Sequence, residues 1–227
     1  MKKIASIGLF LTLFALGVQA QEPVSPLKLS TQLDSASYAI GASISFDLKS
    51  RGLSALNYAV LVQAMQDVFA GKNPQISMQD GQQAIMAYFT SLKKKQEEPL
   101  IAAAGNFLAE NKKKKGVIAL PSGLQYEVLT AAKGAKPKAT DSVTVHYKGT
   151  LANGKQFESS YERNQPATLS LTQVIQGWVE GLQLMSVGAK YRFYIPYQLG
   201  WGANGAGQDI PPYSVVIFEI ELLKIAQ

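Results

Sequence analysis

The period of the apolar residues changes near Gly116. From about Thr31 to Lys115 proline stands only at 74 and 99, and apolar residues recur at helical spacing; from Gly116 onward glycine and proline are frequent and the period shortens toward two. A chain divided in this way makes a helical segment first and a sheet segment second. The fold class is therefore α+β, with segments over 30–115 and 116–227.

Three helices fit the first segment. One runs from about Leu33 to Arg51, with Leu33, Ala36, Ile40, Ile44 and Leu48 on a stripe and Gly52 as its stop. A second starts after Ser54 as N-cap and ends at Gly71; Leu56, Val60, Ala64 and Val68 form one row, Leu61, Met65 and Phe69 another. The third begins at Ser77, spaced from Asp80 as in a capping box, and passes Ile85, Tyr88, Phe89 and Leu92 on its way to Lys115. Pro99 lacks an N–H and its ring crowds the preceding turn, so it should kink or break this helix near Glu98. So small a helical segment cannot hide both apolar rows in a core of its own. A second copy of the chain would cover them, which predicts a homodimer through residues 30–98; packing of the helices on the C-terminal segment is the alternative. Lys112 to Lys115 reads as a solvated helix end whose cations complement the helix dipole, and not as a patch for nucleic acid or membrane.

Strands and turns dominate the second segment. Leu124–Leu129 and Val143–Tyr147 alternate in polarity, Asn153-Gly154 marks a hairpin before Gln156-Phe157, and Leu169-Ser170-Leu171 is a short strand. Val174–Met185 is the one helical stretch. Tyr191–Ile195 alternates again, and in the last strand Val216, Phe218, Ile220 and Leu222 share a face with Glu219 and Glu221 outward.

The N-terminus carries an export signal. Met1-Lys2-Lys3 is a basic start, Ile4–Val18 is largely apolar, and Val18-Gln19-Ala20 offers small residues for cleavage after Ala20, followed by a flexible leader over 21–29. The apolar run is shorter than the roughly 20 residues of a bilayer span, so no membrane span is expected and the protein should be periplasmic or secreted. No cysteine at the cleavage point provides for a lipoprotein anchor. Loss of Lys2 and Lys3 lowers the formal charge from +6 to +4, too little to suggest a nucleic-acid partner.

Reactive groups are scarce. The chain has no cysteine and one histidine, His146, which excludes disulfide scaffolds, thiol chemistry and any site built on two imidazoles. His146 reads as structural, and nothing pairs Asp141, Glu158 or Glu180 for acid–base work. Gly200-Trp201-Gly202-Ala203-Asn204-Gly205 spells a dinucleotide fingerprint, but a strand and not a helix follows it, so it reads as a glycine-rich loop. No metal or cofactor is expected.

Against this background the segments VTVHYKGTLANGKQFESSYERNQPATLSL, QVIQGWVEGLQLMSVGAKYRFYIP and LGWGANGAGQDIPPYSVVIFEIELLKI closely resemble the FK506-binding protein (FKBP) type of peptidyl-prolyl cis-trans isomerase over residues 117–227. The motifs HYKGTL, NGKQF, VIQGW, MSVGAK, IPP and FEIELL occur in the family's order. SYAIGASI and FLAENKKKKGV are more loosely similar to the N-terminal domain of the family's exported Mip and FkpA branch, whose members are dimers held by their N-terminal helices. The resemblance implies an antiparallel sheet wrapped on a short helix. It also implies catalysis of rotation about X–Pro bonds and proline-containing unfolded proteins as clients. Carried over position by position, Tyr147, Phe157, Val174, Ile175, Trp178, Ile210 and Phe218 line the proline-binding cavity, with Trp178 as its floor and the Ile175 N–H as donor to a substrate carbonyl. Leu169 and Ala206 are further candidate substrate contacts, Ala206 at a variable loop position. Glu158 stands where the family usually has Asp, Trp201 where it usually has Tyr, and Ala167 replaces a common aromatic. Trp201 keeps a donor in its indole N–H, so turnover is expected, while affinity for macrolide inhibitors stays open. The alternative is a binding-only chaperone with an FKBP-like pocket.

Overall fold

The computed structural model describes residues 28–226; the expected signal peptide over 1–20 and the leader up to residue 27 lie outside them. The chain divides after Arg51 into two units.

The first unit holds helix α1 (Gln32–Ser50). Thr31 caps it: its hydroxyl accepts the Asp34 N–H at 3.0 Å, and the Asp34 carboxylate accepts the Thr31 and Ser30 N–H groups at 2.8 and 3.0 Å. These bonds, the Thr31 ones foremost, hold the Asp34 carboxyl below its usual range. Gly52, with φ +91°, supplies the left-handed residue past the helix end. No residue of α1 is buried, and Leu33 and Phe46 are each 75% exposed.

The second unit begins with α2 (Tyr58–Phe69) and α3 (Met78–Asn111). Helix α2 starts three residues later than its sequence suggests. Asn57, not Ser54, is the N-cap, its Oδ1 accepting the Val60 N–H at 3.3 Å, so Leu56 falls outside the helical row. Ser77 caps α3 by accepting the Asp80 N–H at 3.1 Å. Pro99 does not break α3. Both Pro99 and Lys95, whose carbonyl the missing N–H would have served, are exposed, so water can satisfy that oxygen. The helix stops at Asn111, short of Lys115, because the sheet supplies its ending. The Gln125 amide donates to the Leu108 carbonyl at 2.9 Å and accepts from the buried Asn111 side chain at 3.0 Å. Lys112–Lys115 follow as an exposed turn.

Seven antiparallel strands complete the unit: β1 (Ile118–Ala119), β2 (Gln125–Thr130), β3 (Ser142–Leu151), β4 (Gln156–Ser159), β5 (Ala167–Ser170), β6 (Lys190–Ile195) and β7 (Val216–Ala226). Their order is β1-β2-β6-β7-β3-β4, with β5 paired to the first half of β3 and β4 to its second half. Gly154, at φ +87°, makes the β3–β4 hairpin turn. Alternation in β7 buries Val216, Phe218, Ile220 and Leu222 and leaves Glu219 and Glu221 on the other face. Helix α4 (Gln176–Leu182) packs on the apolar face. Gly177 and Gly181, one turn apart, let it sit against Ile195 and Phe193; a Cβ on either glycine would fall 2.5 or 2.6 Å from those side chains. On the opposite face Arg192 bridges Glu219 at 2.6 Å and Glu127 at 3.3 Å, and the Tyr194 hydroxyl donates to Glu127 at 2.8 Å. The architecture is the mixed one expected, helices first and then an antiparallel sheet on a short helix.

Candidate functional site

Phe218 points from the middle of β7 toward α4, and an aromatic cluster forms around it. Trp178 of α4 meets its ring edge-on at 5.1 Å, Phe157 of β4 at 5.5 Å, and Tyr147 of β3 and Trp201 lie at 6.2 and 6.3 Å. Tyr147 also stands edge-on to Trp178 at 5.1 Å, and Phe157 to Trp201 at 5.9 Å. Edge-to-face pairs of this kind fix ring orientation as well as burying area. Gly149, opposite Phe218 across the β3–β7 ladder, makes the cluster possible: a Cβ there would stand 2.7 Å from Phe218 and 2.8 Å from Phe157.

Above these rings opens a cavity of about 460 Å³. Trp178 is buried at its base, and Tyr147, Phe157, Val174, Ile175 and Trp201 are half-buried around it. Leu169 of β5, Glu158, Ala206, Ile210 and Phe218 complete the set. Every candidate site residue named from the sequence thus lines one cavity. Gln173 and Asp209 line it too and were not anticipated; both are exposed polar residues in short irregular segments, where no period or motif marks them.

The charged and amide side chains of the lining are Glu158, Gln173 and Asp209. Ile175 is the N-cap of α4, and no side chain caps that end. The Trp178 N–H donates to the Ile175 carbonyl at 2.9 Å, and no side chain serves the N–H groups before it. Glu158 accepts the Ser159 N–H at 3.0 Å and pairs with Arg163, whose guanidinium also approaches the Tyr147 hydroxyl at 3.4 Å. The bond to Glu158 raises the Arg163 pKa above its ordinary value. Asp209 is tied outward to Lys155 at 3.0 Å.

Other sequence features lie elsewhere. His146 Nδ1 is 2.9 Å from the Ser160 hydroxyl and its ring stacks on Tyr161, a structural setting. Glu180 accepts from Ser122 and Asp141 from the Lys138 N–H, so neither joins Glu158. The run Gly200–Gly205 is a turn-rich loop and opens no helix. Among the described residues no helix is long and apolar enough to cross a membrane.

Comparison with known proteins gives the same picture over nearly the whole chain. A family model described as FKBP-type peptidyl-prolyl cis-trans isomerase matches residues 133–223, and another, described as the domain amino terminal to FKBP-type peptidyl-prolyl isomerase, matches 33–128. The FKBP-type 22 kDa peptidyl-prolyl cis-trans isomerase of Escherichia coli K12 is 39% identical over 193 residues, covering 84% of this chain and 94% of that protein. The outer membrane protein MIP of Legionella longbeachae is 38% identical over 204 residues, 87% of each chain. The crystal structure of FkpA from Escherichia coli superposes with a TM-score of 0.57 at 33% identity, covering 87% of this chain and 98% of that one.

Proposed function

The chain belongs to the FKBP-type peptidyl-prolyl cis-trans isomerases, and we propose that its turnover takes place in the cavity above Trp178 and Phe218. The observation that carries this reading is the convergence of Tyr147, Phe157, Val174, Ile175, Trp178, Trp201, Ile210 and Phe218 on one apolar cavity.

The reaction suits such a cavity. Amide resonance opposes rotation about an X–Pro bond with a barrier of about 18–20 kcal/mol, and no bond has to be made or broken. In the twisted transition state the nitrogen is no longer conjugated and the carbonyl is less polarised, so it loses less than the planar amide does on leaving water. A dry aromatic cavity that fits the twisted form better than the planar one lowers the barrier, each ~1.4 kcal/mol of preference giving a tenfold rate. Trp178 and Phe218 form the surface on which the pyrrolidine ring rests. Phe157, Trp201 and Ile210 close its sides, and the Ile175 N–H donates to a substrate carbonyl. Glu158 and Arg163 orient the Tyr147 hydroxyl at the rim. The relatives that the chain matches are named as isomerases, so the binding-only reading that Trp201 and Glu158 motivate is not favoured.

The remaining chain supports folding assistance outside the cytoplasm. Residues 30–115 serve as an association module and 116–227 as the isomerase domain; the exposed apolar rows of α1 and α2 fit pairing with a second copy, and proline-containing unfolded chains are the clients. The N-terminal signal directs export with cleavage after Ala20, and the likeness to an outer membrane protein is in keeping with an envelope location. Mass spectrometry of the exported protein should find Gln21 as its first residue. A proline-peptide isomerisation assay on the full mature chain tests the activity; rates equal to buffer would sink it.

A further inference from the structure

Loop 200–214 supplies Trp201, Ala206, Asp209 and Ile210 to the cavity. It is closed on itself: Ala206 and Ile210 exchange backbone hydrogen bonds of 2.8 and 3.1 Å, and the Tyr213 N–H donates to the Gly202 carbonyl at 3.1 Å. A loop so bonded moves as one piece, and what holds its far end sets where its cavity face stands. That far end is Tyr213. It adopts φ +59°, a left-handed conformation shared among non-glycine residues described only with Asn164, and unfavourable for a bulky side chain. Such a conformation persists where the surroundings over-determine it. Here they do: Tyr213 is only 9% exposed, and its ring stands edge-on to Tyr197 at 5.1 Å. Leu100, Ala103, Ala104 and Phe107 of α3 share one apolar groove with Pro211, Pro212 and Tyr213, and Glu97 of α3 stands beside the Tyr213 hydroxyl. The front of the loop is cavity wall, and its back is seated on α3.

Resting on the reading of the cavity as the isomerase site, we infer that Tyr213 is a positioning residue: seated on α3, its ring fixes the Trp201–Ile210 wall and so sets which side chain before proline the cavity accepts. Helix α3 is thereby part of the site's geometry as well as the connection to the association module.

The test is the ratio of kcat/KM between two peptides that differ only in a leucine or an alanine before proline, a ratio that does not depend on the fraction of active protein. It is measured on the full mature chain. Displacing a wall by about 1 Å can change rates by about 100-fold, so Tyr213→Ala should shift the ratio by about threefold or more. Tyr213→Phe, which keeps the ring, should restore the wild-type ratio. Ala103→Glu, on the exposed flank of the same groove and outside the loop, should shift it in the same direction as Tyr213→Ala, and decides the matter if that variant does not fold. An unchanged ratio in Ala103→Glu and in folded Tyr213→Ala overturns the inference while leaving the site reading intact. A wild-type chain without turnover overturns both.

Discussion

Phe157 is the residue through which the cavity is most directly probed, because it contacts Trp201 and Phe218 yet is only half-buried. Phe157→Ala opens one side wall with little loss of core, so kcat/KM toward a proline peptide should fall at least about tenfold, equivalent to ~1.4 kcal/mol, while the thermal midpoint changes little. A variant with wild-type kcat/KM would remove Phe157 from the site. Gly149→Ala is a second handle, since it adds one methyl behind two of the lining rings and removes no lining atom. With 2.7 Å to Phe218 the new Cβ must push both rings, and overpacking of this sort costs about 1–3 kcal/mol. Activity should fall with stability, and a chemical-denaturation curve superposable on wild type would show that the rings yield freely. At this scale the sequence was most readable where motifs fall in the family's order, which is how residues as distant as Tyr147 and Phe218 were assigned to one cavity. It was silent on Gln173 and Asp209, whose place depends on where the loops close and not on any local pattern.

Helix α4 is held against β6 by two glycines, and its packing can be separated from its helix propensity. Alanine is the better helix former by about 1 kcal/mol, so Gly181→Ala in an exposed helix would stabilise. Here the added Cβ lies 2.6 Å from the Phe193 ring, and overpacking by about 1–3 kcal/mol should outweigh that gain and lower the unfolding midpoint. A raised midpoint would mean that α4 can shift off the sheet without cost. Across the sheet, the Arg192 side chain is the first cause that holds the Glu219 carboxyl below its ordinary value of 4.5. A depressed carboxyl stabilises the fold above the unfolded-state value and loses that contribution as pH falls through the lowered folded value. Glu219→Gln should therefore have a lower urea midpoint than wild type at pH 7, and the gap should close below about pH 4.5. A gap constant from pH 7 to 3 would show that the pair contributes nothing. The periods of the strands and helices were legible throughout, but their ends were less so. Ser54 and Asn57 are both competent caps, and only the fold chooses Asn57; Pro99 is tolerated because it faces water, and α3 ends where Gln125 meets it.

For the molecule as a whole, the weight falls on the apolar rows that α1 and α2 each leave uncovered. In α1 Leu33 and Phe46 are each 75% exposed, and in α2 Phe69 is 93% and Val60 63% exposed, large apolar side chains whose exposure water disfavours by about 25 cal/mol per Å². Monomers rarely display contiguous apolar patches of more than a few hundred Å², and larger ones mark interfaces. The sequence already contained this surface as two apolar rows too wide for a small core, and the helices indeed bury none of it within the described chain apart from a few half-buried positions. What the sequence could not give is the partner face, because amphipathic spacing states that a surface must be covered without stating by what. A second copy would cover it economically, since the same rows would then be hidden on both sides. Light scattering of the full mature chain should give twice the monomer mass at micromolar concentration, and Phe46→Glu combined with Phe69→Glu should give the monomer mass. If covering these rows is separate from the chemistry, that double variant keeps its kcat/KM toward a short proline peptide but loses acceleration of a proline-limited refolding protein, where two cavities on one client raise the effective concentration. A monomeric wild-type chain would overturn the dimer, and a double variant equally active on peptide and protein would show that pairing plays no part in client handling.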